Sequence, residues 1–527
     1  MKLRNLFASL ACSSLLVFTL ASCGNNNDKP TNTEEDSVEA INEAYNSLKA
    51  GKEVNFEFWH SFGDAVEGPL EDLVGKFESD MKEKGFNITV NVVNKGGGYD
   101  GLRQSINLGA DSGAIPTLAL GYPDHFADYI KQKLVTPLTN YVNNTNENIK
   151  ITTSDFVESY WEENQMIING TKQTVGLPFN KSTEIMCYNS NVVDKVLQKL
   201  EVSKPELFTE TSGYNETTGA WDNPTWDQVI AIGEYINAHK SDNSLDYTYG
   251  SSTTKYTVDS QMKYPVYIDS ESNFFITTSR QWGGEGKYTV VDDSGKGSVV
   301  AWNDATKEAM AYFMDAALTK KAIQLPAAGG TGSYGSAYLA VGKAFIAIGS
   351  TAGVKNNNSN RYDMKVTSVP QKGYGADAHN AVIQQGTNLV LLSKSSNQEQ
   401  RVAAWLLMKY LTDKDNQVQF SSETGYLPVL KSSRESQAFK DLLATADKSN
   451  PNYIYTGAVA KGLKVAIAES NYYYTDPAFN GSSIARDKVS VAVQDMFLYG
   501  KTYDVAMNTY YTTLASYGIA CKKNISA

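Results

Sequence analysis

The sequence predicts an α/β protein whose body is divided into two lobes joined by several passes of the chain. Three observations predict it. A strand-like alternation, a helical stripe and a second alternation follow one another between residues 54 and 92. A chain of 527 residues with 41% hydrophobic side chains holds material for more than one core. No sharp linker cuts the body into separate beads.

Val54, Phe56 and Phe58 alternate along one face of a strand, with Trp59 on the other face at its end. Val66, Leu70, Leu73, Val74, Phe77 and Met81 recur at helical spacing, and Ile88, Val90 and Val92 alternate again. Strand, helix and strand in this order predict parallel strands joined by a crossover helix. Further on, Val175 to Phe179 and Phe345 to Ile348 suit strands, Val402 to Leu411 suits a helix, and residues 484 to 516 are largely helical in pattern. Gly213 to Gly219, Gly329 to Ser336 and Ser350 to Ser359 read as turns or surface loops. Asp292-Asp293-Ser294-Gly295 reads as a solvated turn, because it lacks the carboxylate ladder and closing Glu of a calcium loop.

The start of the chain has a separate logic. Lys2 and Arg4 precede an uncharged, mostly apolar run from Leu6 to Leu20, which is short for a bilayer span and suits a signal peptide over residues 1–22. Leu20-Ala21-Ser22-Cys23 resembles a bacterial lipoprotein processing site, so Cys23 is expected to carry lipid and residues 23–45 to form a flexible, hydrated tether. The body is then extracytoplasmic and lipid-anchored to the cell membrane. Cys187 and Cys521 remain, and a disulfide or two free thiols are both open.

A net charge of −11 without a dense Lys/Arg stripe argues against a nucleic-acid partner. His60, His125, His239 and His379 form no i,i+4 pair, so no metal site is expected. Gly329-Gly330-Thr331-Gly332-Ser333 lacks the Gly-Lys-Ser/Thr ending of a phosphate loop. Thr351 replaces the serine of a nucleophile elbow in Gly349-Ser350-Thr351-Ala352-Gly353. Glu67 and Asp124 carry no spacing that marks them as a glycosidase pair. The expectation is a monomeric body with no cofactor and no catalytic centre.

Recognition is better supported. The chain holds 32 Tyr, 19 Phe and 7 Trp, and aromatic rings cover the C–H faces of sugars while neighbouring polar groups meet hydroxyls. Trp59 leads into His60-Ser61-Phe62-Gly63, where an α/β layer turns toward a crevice. Tyr99 follows the turn Lys95-Gly96-Gly97-Gly98. Asp124 follows Gly121-Tyr122-Pro123 and suits either a hydroxyl acceptor or a helix cap. Ser182, in Pro178-Phe179-Asn180-Lys181-Ser182-Thr183, suits a ligand oxygen or its own turn. Tyr267, Trp282 and Asn380 are further candidates.

Phe58-Trp59-His60-Ser61, Tyr99 in its glycine turn, Pro178 to Glu184 followed by Tyr188-Asn189, Asn380-Ala381-Val382-Ile383 and Thr424-Gly425-Tyr426-Leu427-Pro428 together resemble the family-one extracellular solute-binding proteins of bacterial ABC importers, in their carbohydrate and glycerol-phosphate-binding branch. The resemblance covers most of residues 52 to about 430. It implies two periplasmic-binding-protein-like α/β lobes around an interlobe ligand cleft. One lobe comprises residues 46–183 with approximately 370–412, and the other residues 184–369 with approximately 413–527. By resemblance, Trp59, Tyr99 and Ser182 match pocket positions, Asp124 lies near an acidic one, Gly353 is a glycine that backbone leaves open to solute, and Tyr426 belongs to the shared Gly-Tyr-Leu-Pro element. The region around Lys461 lacks the late arginine of the glycerol-phosphate branch. The implied function is binding of a sugar or oligosaccharide and its delivery to an ABC importer permease. A glycerol-phosphate or glycerophosphodiester carrier is the alternative within the family, and a secreted glycosidase or a surface adhesin the alternatives outside it.

Overall fold

A computed structural model describes residues 36–250, 253–329, 334–447 and 454–524. The signal peptide, Cys23 and the tether as far as residue 35 lie outside the described residues. The first described element is the helix Val38–Lys49, which starts inside the segment read as tether. Its stripe of Ile41, Ala44, Tyr45 and Leu48 is buried, with Ser37 as N-cap. Asp36, just ahead of it, accepts two hydrogen bonds from Arg401 at 2.6 and 2.8 Å. Amphipathic spacing and that forked ion pair fasten the start of the body to the helix Gln398–Leu411.

Strand Glu53–His60 pairs in parallel with Asn87–Asn94, Val54 opposite Ile88 and Phe58 opposite Val92, and the helix Asp64–Glu83 connects them. This is the crossover that the alternating and helical stripes predict. Leu118–Gly121 joins on the other side of the first strand, also in parallel. The predicted strand at Val175 to Phe179 overlaps only the start of a much longer one, Leu177–Asn189, and a second long strand, Val382–Leu391, runs antiparallel beside it. Beyond them come Ile346–Ser350, Val266–Ile268 and Ile323–Gln324, completing one continuous sheet. The helical stretch near the C-terminus resolves into Ser482–Phe497 and Tyr503–Ser516. Gly213–Asn215, read as loop, pairs with Ala220–Asp222 in a small hairpin instead. Asp292 folds its turn as expected, its carboxylate accepting from the Ser294 and Lys296 amides at 3.0 Å.

The apolar side chains divide into two large cores. Phe56, Phe58, Leu73, Phe77, Phe126, Phe179, Leu389 and Trp405 belong to one, and Ile185, Val193, Ile232, Phe274, Phe313, Ile346, Ile383 and Val493 to the other. Each long strand therefore leaves one core and enters the other along its own length. The chain passes between them again after the second long strand, alternating from Leu411 to Val418, Phe420, Leu427 and Val429 before Leu430 and Phe439. The two-lobed α/β fold is built on these crossings.

At the waist the strands turn polar. Gly386 lies opposite Lys181 and has φ of 90°, and a Cβ there would lie 2.0 Å from the Asn180 carbonyl oxygen. The Lys181 ammonium donates to the Gly386 carbonyl at 2.8 Å and to Glu163, both side chains being almost fully buried. Asn388 and Gln384 also donate to Glu163. Burial lowers the pKa of Lys181, with Glu163 acting in the opposite direction.

Gly386→Ala forces both a left-handed backbone and a backbone overlap, so it is expected to cost at least about 2 kcal/mol in denaturant unfolding.

Candidate functional site

Two adjoining cavities lie between the lobes. The inner one, about 60 Å³, is lined from the first lobe by Tyr122, Asp124 and Glu163, from the crossing strand by Ile383, Gln384 and Gly386, and from the second lobe by Tyr288, Asp476, Ser482 and Arg486. The outer one, about 450 Å³, shares Pro123, Glu163 and Thr475 to Ala478 with it and continues over Met166, Ile167 and Val291.

Local structure places the charged groups. Pro123 opens the helix Pro123–Lys131, where its missing N–H costs nothing, and this puts Asp124 in the first turn facing the cavity. Across from it, Gly481 in a left-handed conformation starts the helix Ser482–Phe497. Ser482 and Arg486, four residues apart, then share the face that lines the cavity. The Arg486 guanidinium stands 5.8 Å from the Tyr122 ring of the opposite lobe and donates to the Asn273 side-chain oxygen. Asn273 is oriented in turn by donating to Glu184 at 3.0 Å, which also accepts from Gln385 at 3.3 Å. Gln385 accepts from Ser182 at 3.5 Å, so a polar chain runs from the waist to Arg486.

Burial pushes the Asp476 carboxyl up to about 7 against the pull of Arg486 and Arg280. Burial likewise pushes Glu184 up to about 7 against its bond from Asn273. Asp124 is raised by burial and held back by Arg486 and Arg103. His125 is pushed down to about 3 by burial and then by Arg103, so its ring is neutral at physiological pH. The cavity thus offers the Arg486 cation, the carboxyl groups of Asp124, Glu163 and Asp476, and the rings of Tyr122 and Tyr288. Among the described residues, no group of His, Cys, Asp or Glu is arranged to hold a metal ion.

The family model for bacterial extracellular solute-binding proteins matches residues 73–447. The chain belongs to that family. No curated protein matches the sequence of this solute-binding protein. Its fold is shared by UgpB from Mycobacterium tuberculosis in complex with glycerophosphocholine, at 17% identity and a TM-score of 0.63 over 88% of this chain and 98% of that one. Lmo0181 from Listeria monocytogenes in complex with cycloalternan gives 11% identity and a TM-score of 0.64 over 89% and 100%. Maltose-bound MalE3 from T. maritima gives 15% and 0.60 over 88% and 99%. The two-lobed periplasmic-binding-protein-like fold with a cleft between its lobes follows from these likenesses.

Within this fold the residues singled out from sequence fall in several places. Asp124 lines the inner cavity. Tyr99 and Tyr426 stand behind its wall, Tyr99 edge-on to Tyr122 with centroids 5.2 Å apart and its hydroxyl 3.4 Å from that of Tyr426. Asn180 donates to the Tyr99 hydroxyl at 3.2 Å. Trp59 is buried at its strand end, its indole N–H donating to Glu57 at 2.7 Å and its face covered by the Lys95 ammonium at 3.6 Å. His60 is fully buried and accepts the Phe62 amide at 3.2 Å, and burial lowers its pKa. Ser182 sits in the crossing strand. Tyr267 is buried in the second lobe, stacked on Tyr338 at 4.4 Å. Trp282 packs on Tyr312 and Phe313 beneath the Lys372 ammonium. Asn380 donates to the Gly373 carbonyl at 2.9 Å. Gly353 lies in the short helix Thr351–Asn357, with open space where a Cβ would stand. Lys461 is partly buried and donates to the Met364 carbonyl at 2.9 Å. Cys187 and Cys521 are free thiols.

Sequence reasoning passed over Arg486, Asp476, Tyr122 and Glu163. The available signal was the aromatic and acidic run Tyr472-Tyr473-Tyr474-Thr475-Asp476-Pro477 before a glycine-started helix. Nothing local marks Arg486 as facing the opposite lobe.

Glu184, Asp269, Asp476 and Asp487 are all raised to about 7, mainly by burial. Unfolded carboxyls titrate near 4, so between about pH 4 and 7 the folded state binds more protons at these groups and gains stability as pH falls. His60 and His125, lowered in the fold, act in the opposite sense below about pH 6.5. The melting temperature is expected to rise from about pH 8 to about pH 6.5, and Asp269→Asn to reduce that rise.

Proposed function

We propose that this solute-binding protein takes up a sugar or oligosaccharide between its lobes and hands it to the membrane permease of an ABC importer, working from a lipid anchor at Cys23 outside the cytoplasm. The observation that carries this reading is the meeting of Asp124 from one lobe with Asp476 and Arg486 from the other, beside Tyr122 and Tyr288, around a single cavity. Carboxylates accept from hydroxyls, a guanidinium donates to them, and aromatic rings cover apolar sugar faces. A solute bridging both lobes stabilises the closed form by as much as it binds that form better than the open one. The adjoining outer cavity gives room for further sugar units. Two carboxylates around one guanidinium favour a neutral polyol over a phosphate ester. Sugar-bound relatives of the same fold, with maltose and cycloalternan, support the choice.

A second reading, binding of a glycerophosphodiester, is favoured by Arg486 itself. Its planar fork suits a phosphate, and a glycerophosphocholine complex shares the fold.

Calorimetry with maltose, maltotriose and glycerophosphocholine tests both readings. Saturable binding of a glycan is expected, with Arg486→Met weakening it at least about tenfold through loss of a charge-assisted hydrogen bond. Binding of glycerophosphocholine alone replaces the first reading by the second. Binding of none of them, or release of reducing sugar during the titration, overturns the proposal. Trp59→Ala in the same assay decides whether that ring contributes to the pocket, and unchanged affinity removes it.

A further inference from the structure

The helix faces that line the cavity have neighbours one position along. In helix Ser482–Phe497, Ser482 and Arg486 face the cavity, while Ser483 and Asp487 point about 100° further round the helix, toward the first lobe. In helix Pro123–Lys131, Asp124 faces the cavity and Asp128, one turn on, faces the same contact. Arg103, from helix Gly98–Gly109, lies between them.

The contacts are numerous, and Arg103 and Asp128 at their centre are largely buried. The Arg103 guanidinium, 7% exposed, donates to Asp487 at 2.7 Å and to the Ser483 hydroxyl at 3.2 Å, with Asp128 3.6 Å away. Asp128 accepts from the Ser483 hydroxyl at 2.7 Å and from the Gly481 amide at 3.0 Å. The last bond has a specific meaning. Helix Ser482–Phe497 begins on a glycine and has no side-chain cap of its own; the Phe479 carbonyl takes the Ser482 amide at 2.9 Å, which leaves the Gly481 amide for an acceptor from elsewhere. A carboxylate from the opposite lobe supplies one, where the helix dipole also favours negative charge. Opening the lobes would strip the helix of that cap.

We propose that Arg103 and Asp128 are positioning residues that latch the two lobes together without a solute, seating helix Ser482–Phe497 so that Arg486 already faces Asp124 and Tyr122. The inference rests on reading the cavity as the solute site only for its effect on affinity. The latch itself concerns the solute-free protein. Its elements are protein side chains on both sides, so the contact favours closure independently of whatever the solute contributes. Arg103→Met takes the counter-charge from buried Asp128, and Asp128→Ala takes the cross-lobe acceptor from Gly481 and Ser483, and either change shifts the balance toward the open form.

The test uses the purified, solute-free protein. Small-angle X-ray scattering should give a larger radius of gyration for Arg103→Met and for Asp128→Ala than for the unaltered chain. Hydrogen exchange should show faster exchange at the start of helix Ser482–Phe497 in both. Asp128→Asn preserves the shape of the side chain and one acceptor oxygen, and should fall between. Circular dichroism confirms that each variant is folded. Equal radii of gyration and equal exchange in folded variants overturn the latch. Calorimetry with maltotriose and glycerophosphocholine reads the solute site separately. An opened variant with no solute bound by any form supports the latch and defeats the solute reading, whereas solute binding with unchanged radii does the reverse.

Discussion

The pairing of Leu177–Asn189 with Val382–Leu391 is the constraint on which the rest depends. Both strands begin in one apolar core and end in the other. Between the cores they carry Asn180, Lys181, Ser182 and Thr183 against Gln384, Gln385, Gly386 and Thr387. A waist made of polar side chains bonded to one another adds no apolar material that would fuse the cores. It does hold register, since Lys181, Glu163, Gln384 and Asn388 satisfy one another only in this pairing. A buried pair of this kind contributes little net stability and much geometric definition. The lobes keep separate apolar cores and share this polar connection.

The charged groups of the cleft are placed by that connection and by helix periodicity. Glu163 both closes the waist and lines the two cavities. The chain of bonds from Ser182 through Gln385, Glu184 and Asn273 ends on Arg486. The same helices turn one face to the cavity and the neighbouring face to the opposite lobe, so the contact between the lobes and the placement of Arg486 are set by the same elements.

The local parts of this architecture were legible in the sequence, and the reason is periodicity. Val54, Phe56 and Phe58 alternate because one face of their strand is buried, and Leu70, Leu73, Phe77 and Met81 repeat because one stripe of their helix is. The long crossing strands were only partly legible. After Phe179 the run Asn180-Lys181-Ser182-Thr183-Glu184 looks like a loop, yet every one of these side chains is buried, because their partners arrive from residues 384 to 388, some 200 positions away. The site divides along the same line. Asp124 showed itself through the proline that starts its helix, whereas Arg486 gains its meaning from Gly481, Asn273 and Tyr122, none of which is near it in a pattern that sequence alone displays. Trp59 was visible as a strand end, but its face is taken by Lys95, which arrives just beyond the end of the neighbouring strand.

The raised carboxyls connect stability with recognition. Asp476 is pushed up by loss of water on one lobe, and Asp124 is raised for the same reason on the facing lobe. An acceptor short of donors costs the folded protein free energy. A hydroxyl-bearing solute of the proposed kind brings donors into that space, arranged around a ring whose apolar edges suit Tyr122 and Tyr288. The desolvation of Asp124 and Asp476 is thus a cost that the hydroxyls of a polyol offset. A phosphate would add acceptors where acceptors are already in surplus, which is why the balance of charges at Asp124, Asp476 and Arg486, more than the presence of the arginine alone, weighs toward sugar.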